Sequence, residues 1–314
     1  MNPIIKTNNL TKTFGDHKAV NNITLTIKQG DIYGLIGRNG AGKTTFMKMI
    51  SNLSTPTSGT YQIFPGSKKT SKLNQTRISA LIENVGSYPT MTAFDNMLLK
   101  GKSLGLSGDK YINETLDLLG LGKVGKKKVK DFSLGMKQRL GIALALVGNP
   151  DVMVLDEPIN GLDPQGIIDI RNIISDLNRE KNITFLISSH ILDELAKIAT
   201  NFAIIDNGSL IANFSKKDLE ESTKDRIELV TNDPKKTILA LDNKNIGPYK
   251  LVDENIIHIY VDSESTNNII TCLYEAEIKI NYFNVHNTSL EEYYIKLLEN
   301  KGVWYVKSNE NGIY

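Results

Sequence analysis

Gly37-Arg38-Asn39-Gly40-Ala41-Gly42-Lys43-Thr44-Thr45 decides the fold of this chain. It follows the apolar run 32–36, which reads as a buried strand, and precedes Phe46-Met47-Lys48-Met49-Ile50, which has helical spacing. Gly, four residues, then Gly-Lys-Thr is a phosphate-binding loop pattern, and strand–loop–helix is the context it requires. Glycines let backbone N–H groups converge on phosphate oxygens with no Cβ in the way. The helix that follows turns its partial positive end toward the same phosphates. In such a site residues 37–45 hold the phosphates, Lys43 reaches the β- and γ-phosphates, and the Thr44 hydroxyl ligates Mg²⁺. A glycine-rich turn that binds nothing is the alternative, and the full spacing argues against it.

Working outward, a second chemical stretch is Val152-Met153-Val154-Leu155-Asp156-Glu157-Pro158, a buried strand ending in two carboxylates. Burying that edge is costly unless a cation or hydrogen bonds compensate. Mg²⁺ beside the phosphate loop would do so, with Asp156 holding the metal. Glu157 is placed to orient or deprotonate an attacking water. The β-rich run 183–187 is closed by Ser188-Ser189-His190. A lone His after a strand is more often structural, but ligand sites of parallel sheets lie at the carboxyl ends of strands, which raises His190 as a γ-phosphate sensor. His17, His258 and His286 have no such context.

The rest of the chain supplies the frame. Residues 4–14, 23–27 and 60–64 read as strands, with 23–27 alternating apolar and polar, so an antiparallel sheet beside the nucleotide core is the economical arrangement. Phe14 can stack on an adenine ring, and a core Phe fits it equally well. The span 92–147 turns helical and contains a basic cluster at Lys126-Lys127-Lys128 that a solvated loop explains. Asn160-Gly161-Leu162-Asp163-Pro164 is a turn, and Asn207-Gly208 closes a hairpin. After a polar connection at 215–225, the pattern βαββαβα predicts a small α+β domain of split-βαβ, ferredoxin-like type at 226–300, with no chemical motif. The end, 301–314, reads as poorly packed.

Composition limits the function classes. The 314 residues allow about two domains. A net charge of +2 gives no reason to expect nucleic acid as a partner. The single cysteine, Cys272, excludes an internal disulfide and reads as a buried thiol. No apolar run approaches the roughly 18 residues of a spanning helix, and the start lacks a signal-peptide core. The chain therefore reads as cytoplasmic, with any membrane-spanning part supplied by a separate subunit.

Together these stretches resemble the ATP-binding subunits of ATP-binding-cassette transporters over residues 3–215. The specific evidence is Phe132-Ser133-Leu134-Gly135-Met136-Lys137-Gln138-Arg139 ahead of the acidic strand, which matches the family's signature segment; the Asp163 turn and His190 follow in the family's order. The C-terminal extension and the Ser-Leu-Gly-Met-Lys-Gln-Arg variant look most like the bacitracin- and lantibiotic-exporter branch. The resemblance implies a RecA-like P-loop α/β core with an antiparallel β subdomain, an inserted helical subdomain at 84–147, and ATP and Mg²⁺ as cofactors. It implies a head-to-tail homodimer in which Ser133 and Gly135 of one copy cap the nucleotide held by Lys43 of the other. It further implies a membrane permease at the cytoplasmic face of the cell membrane as partner, and adenine stacking for Phe14. Leu134 and Met136 depart from the commoner Gly and Gln. Glu83 stands where most of the family has Gln, and is read as a Mg²⁺-facing variant used for coupling to the permease, or else as a solvent-facing residue. Rival readings are a non-transport ATP switch on ribosomes or DNA, and a binding module with a regulatory ATPase. The lack of a second cassette and of a long coiled coil argues against the former.

Overall fold

The computed structural model describes residues 2–63, 77–83, 85–106, 109–222, 226–260, 265–286 and 290–299. Phe64, Asn84 and the tail at 301–314 lie outside them. The chain divides into two compact units, Met1–Lys216 and Lys217–Tyr314.

The first unit begins with β1 (Pro3–Phe14), β2 (His17–Ile23), β3 (Thr26–Lys28), β4 (Ile32–Ile36), α1 (Lys43–Ile50) and β5 (Ser58–Ile63). β1 pairs antiparallel with β3 through its first residues, with β2 through its last, and with β5. The predicted strand 23–27 is divided between β3 and the end of β2, a strand that begins at His17, where the sequence pattern marks none. Asn22 has φ +53°, a left-handed conformation that Asn tolerates; it sits at the register shift between the Leu10–Ile23 and Lys12–Val20 pairs, while the break between the two strands falls at residues 24–25. The alternation still holds, since Ile23, Leu25 and Ile27 are buried. Thr7 bridges the break: its amide donates to the Leu25 carbonyl at 2.8 Å and its hydroxyl accepts from the Leu25 amide at 2.8 Å. A period of two reports which face is inward, not which backbone group pairs with which.

Then follow β6 (Ile78–Leu81), α2 (Ala93–Ser103), α3 (Asp109–Leu118), α4 (Leu134–Leu146), β7 (Val152–Asp156), α5 (Pro164–Lys181), β8 (Thr184–Ser189), α6 (Leu192–Ile198), β9 (Asn201–Asp206) and β10 (Ser209–Ser215), and α7 (Lys216–Ser222) begins at the last residue of this unit. The main sheet has the order β10-β9-β4-β8-β7-β6 and is parallel except for the β10 edge. α1 lies between the two sheets: Phe46, Met47, Met49 and Ile50 join Leu10, Val20 and Ile23 on one side and Val154, Leu186 and Ala203 on the other. That shared core fixes the phosphate loop at the carboxyl ends of β4, β7 and β8. Between β6 and β7, α2 to α4 form the inserted helical subdomain. α2 opens with a reciprocal Thr92–Asp95 capping box, and α4 is fully buried from Leu140 to Leu146.

The second unit contains β11 (Arg226–Thr231), α8 (Pro234–Asn243), β12 (Tyr249–Asp253), β13 (Ile256–Tyr260), α9 (Thr266–Glu275), β14 (Ile280–His286) and α10 (Leu290–Glu299). Its antiparallel sheet has the order β12-β13-β11-β14, with the first and third strands central. Its core, separate from the first, gathers Ile227, Leu229, Leu241, Ile257, Ile259, Ile269 and Leu273. Cys272 is buried there, and burial pushes its thiol pKa up. Among the described residues no helix is long and apolar enough to cross a membrane.

Candidate functional site

Two glycines of the loop between β4 and α1 are required for space. A Cβ at Gly37 would lie 2.3 Å from the Ile205 carbonyl oxygen, and one at Gly42 2.2 Å from that of Ala19. Gly42 is also left-handed, at φ +105°, and as the N-cap of α1 it offers no side chain to the first turn. The opening N–H groups of a helix have no partner within it, so α1 presents donors and a partial positive charge to the loop. Lys43 is only 6% exposed. Its ammonium donates to the carbonyls of Gly37 at 2.7 Å and Arg38 at 3.3 Å, curling back over its own loop.

The acidic end of β7 meets this loop. The Thr44 hydroxyl donates to Asp156 Oδ2 at 2.7 Å, while Ser188 at the end of β8 donates to Asp156 Oδ1 at 2.5 Å. Ser188 Oγ also accepts the Glu157 amide at 2.8 Å. Parallel register makes this possible, because Asp156 stands opposite Ser188 and Ile36 opposite Ser189. Glu157 has φ +49°, a conformation that costs a non-glycine residue about 1–3 kcal/mol and needs surrounding contacts to hold it. Those contacts are visible: Oε2 lies 2.7 Å from His190 Nδ1 and accepts the His190 amide at 3.3 Å. Oε1, buried and without a hydrogen bond, stands 3.7 Å from the Lys43 ammonium. An orphaned carboxylate oxygen facing a phosphate loop is the feature a bound water or ligand would complete.

Of the residues singled out from sequence, Lys43, Thr44, Asp156, Glu157 and His190 come together here. Glu83 does not join that set; it is exposed and accepts a 2.5 Å hydrogen bond from Lys48, one turn further along α1 than Thr44. Phe14 is 55% exposed at the end of β1, with the Lys12 ammonium 5.1 Å from its ring centre, so the core alternative falls. Ser133 and Asp163 are both helix N-caps: Ser133 Oγ accepts the Met136 amide at 3.3 Å, and Asp163 Oδ1 accepts the Gly166 amide at 3.2 Å. With Gly135, Arg139 and Leu162 they line a cavity of about 350 Å³ onto which the first turns of α4 and α5 open. Arg139 ties the two helices by a 2.5 Å ion pair with Asp169. Sequence reasoning missed Ser188 and Lys48. Ser188 sits two residues before His190, yet its role depends on the β7–β8 register, which spacing alone does not reveal.

Comparison with known proteins shows the family and the fold. Residues 20–160 match the family model described as ABC transporter. The chain is 39% identical over 300 residues to the bacitracin transport ATP-binding protein BcrA of Bacillus licheniformis, covering 95% of this chain and 98% of that one. It is 43% identical over 208 residues to the lantibiotic transport ATP-binding protein SrtF of Streptococcus pyogenes, covering 66% and 89%. Among solved structures, the dimeric bacterial ABC transporter cassette MJ0796 superposes with a TM-score of 0.61 at 26% identity, covering 68% of this chain and 98% of that chain. The similarity to the Bacillus licheniformis protein extends over both compact units.

Proposed function

The chain belongs to the ABC transporter family of ATP-binding proteins, and from that premise we propose that it hydrolyses ATP to power a separate membrane permease that exports an antimicrobial peptide or drug. The family and the relatives' names support this reading. The observation that carries the hydrolytic part is Glu157, fixed by His190 through one oxygen while the other is orphaned 3.7 Å from Lys43. A carboxylate so held can take the proton of a water as it attacks the γ-phosphate, and His190 keeps it aimed. Lys43 leaves the loop carbonyls for the phosphate oxygens, and the α1 amides receive the rest of the charge. Thr44 and Asp156 offer two hard oxygens already in contact, a donor set that fits Mg²⁺ held mainly by phosphates and water. Mg²⁺, when bound there, would neutralise charge developing on the phosphate oxygens. Glu83 would serve as the residue through which this site and the permease sense each other.

In this proposal Ser133, Gly135 and Asp163 act on a second copy. Ser133 and Gly135 at the start of α4 cap the γ-phosphate held by the partner, giving a head-to-tail homodimer at the cytoplasmic face of the membrane. Dimeric cassettes among the structural relatives support that arrangement. Glu157→Gln tests it: the variant should bind ATP, stop hydrolysing and accumulate as a dimer by light scattering. A monomeric, fully active Glu157→Gln enzyme would overturn the assignment of the base.

A further inference from the structure

Two carboxylates leave the carboxyl ends of adjacent parallel strands in left-handed backbone: Glu157 directly after β7, at φ +49°, and Glu83 two residues beyond β6, at φ +66°. β6 and β7 run in register, Leu81 opposite Leu155, so both acids emerge on the same edge of the sheet. Each meets a lysine of α1. Lys43 stands 3.7 Å from Glu157, and Lys48 donates to Glu83 at 2.5 Å. Lys48 is four residues beyond Thr44, hence on the same helix face and about 6 Å along the axis. A triphosphate entering this edge would meet Asp156 and Glu157, with Glu83 about one helical turn away beside Lys48. Lys43 would serve the phosphates, and Thr44 with Asp156 would hold Mg²⁺. That leaves Glu83 with Lys48.

We propose that Lys48 is a positioning residue for Glu83: its ammonium holds the carboxylate against the flank of α1 and cancels a negative charge that would otherwise oppose the nucleotide. The proposal rests on the reading of residues 37–45 as the ATP site. A long-range charge effect weakens nucleotide affinity without touching the reacting atoms, and it fades with salt over the Debye length.

The test is a double-mutant cycle on the full-length chain, read as the equilibrium Kd for Mg-ATP at 20 mM and 300 mM salt, with thermal unfolding as a check on folding. Lys48→Gln should raise Kd on the order of five- to tenfold at low salt and less at high salt. Lys48→Arg should stay within about twofold of wild type, and Lys48→Gln combined with Glu83→Gln should return to that range. An unchanged Kd in Lys48→Gln overturns the proposal, and so does a double variant as impaired as Lys48→Gln alone, since Lys48 would then act without Glu83. Lys43→Ala separates this from failure of the site itself. If Lys43→Ala binds Mg-ATP like wild type, the nucleotide-site reading falls and the proposal with it; if it loses binding while Lys48→Gln does not, only the ion pair is rejected.

Discussion

Lys43 is buried with its ammonium on two carbonyls of its own loop, so the charge is preset before any ligand arrives. Lys43→Ala should lower phosphate release from ATP on the order of a hundredfold or more, because an oriented donor at developing charge is worth about 3–4 kcal/mol. Phe14 belongs to a different category. Its exposed ring beside Lys12 supports a stacking platform, and stacking on an aromatic is worth about 1–3 kcal/mol per base. Phe14→Ala should therefore raise the KM for ATP roughly tenfold with kcat nearly kept; equal loss in both would point to damage elsewhere. The phosphate loop was legible in the sequence residue by residue. The state of Phe14 was not, since an aromatic at a strand end fits a core and a surface equally well until the packing of β1 against β2 is known.

Helices and strands carry the site's tolerances. At the β4–α1 junction Gly42 combines φ +105° with a carbonyl 2.2 Å from where a Cβ would stand. Gly42→Ala should lower the melting temperature and weaken ATP binding together, measured by calorimetry and nucleotide titration. Behind the site, α5 and α6 are tied by Arg171 and Glu194 at 2.8 Å, both about a fifth exposed. The Glu194 carboxyl is held below its ordinary 4.5, chiefly by the hydrogen bond from Lys197; burial opposes this, and the charges of Lys197 and Arg171 add to it. A lowered acid stabilises the fold above its unfolded value and loses that contribution as pH falls through the folded one. Glu194→Gln should thus cost about 1–2 kcal/mol in urea unfolding at pH 7, and the gap from wild type should close as the pH drops below 4.5. Alternation at 23–27 revealed the inward face of these strands but not their division at residues 24–25, because a side-chain bond from Thr7 to Leu25 keeps the face while the ladder changes.

Over the whole molecule, the proposed head-to-tail pairing has a consequence no single chain can mimic. Mixing a Lys43→Ala chain with a Ser133→Arg chain leaves one intact composite site if Ser133 acts on the partner, and none if it acts within its own chain. ATPase activity of the mixture above both parents is the expected outcome; activity no higher than either would reject action across the interface. The two units have separate cores, one around α1 and one around β11 and β13. A chain ending at Lys216 should therefore unfold cooperatively and still bind ATP. By itself the sequence determined the phosphate loop, the acidic strand end, the stretch up to His190, the signature segment and most of the order of elements, the strand at 17–22 excepted. Each is a contiguous pattern whose chemistry or period is local. Only the tertiary structure decided that Ser188 bridges Asp156 to the Glu157 backbone, that one oxygen of Glu157 is orphaned facing Lys43, and that Lys48 meets Glu83. Those contacts join residues more than thirty apart, through the register of parallel strands and the seat of α1 between two sheets, and no spacing along the chain encodes them.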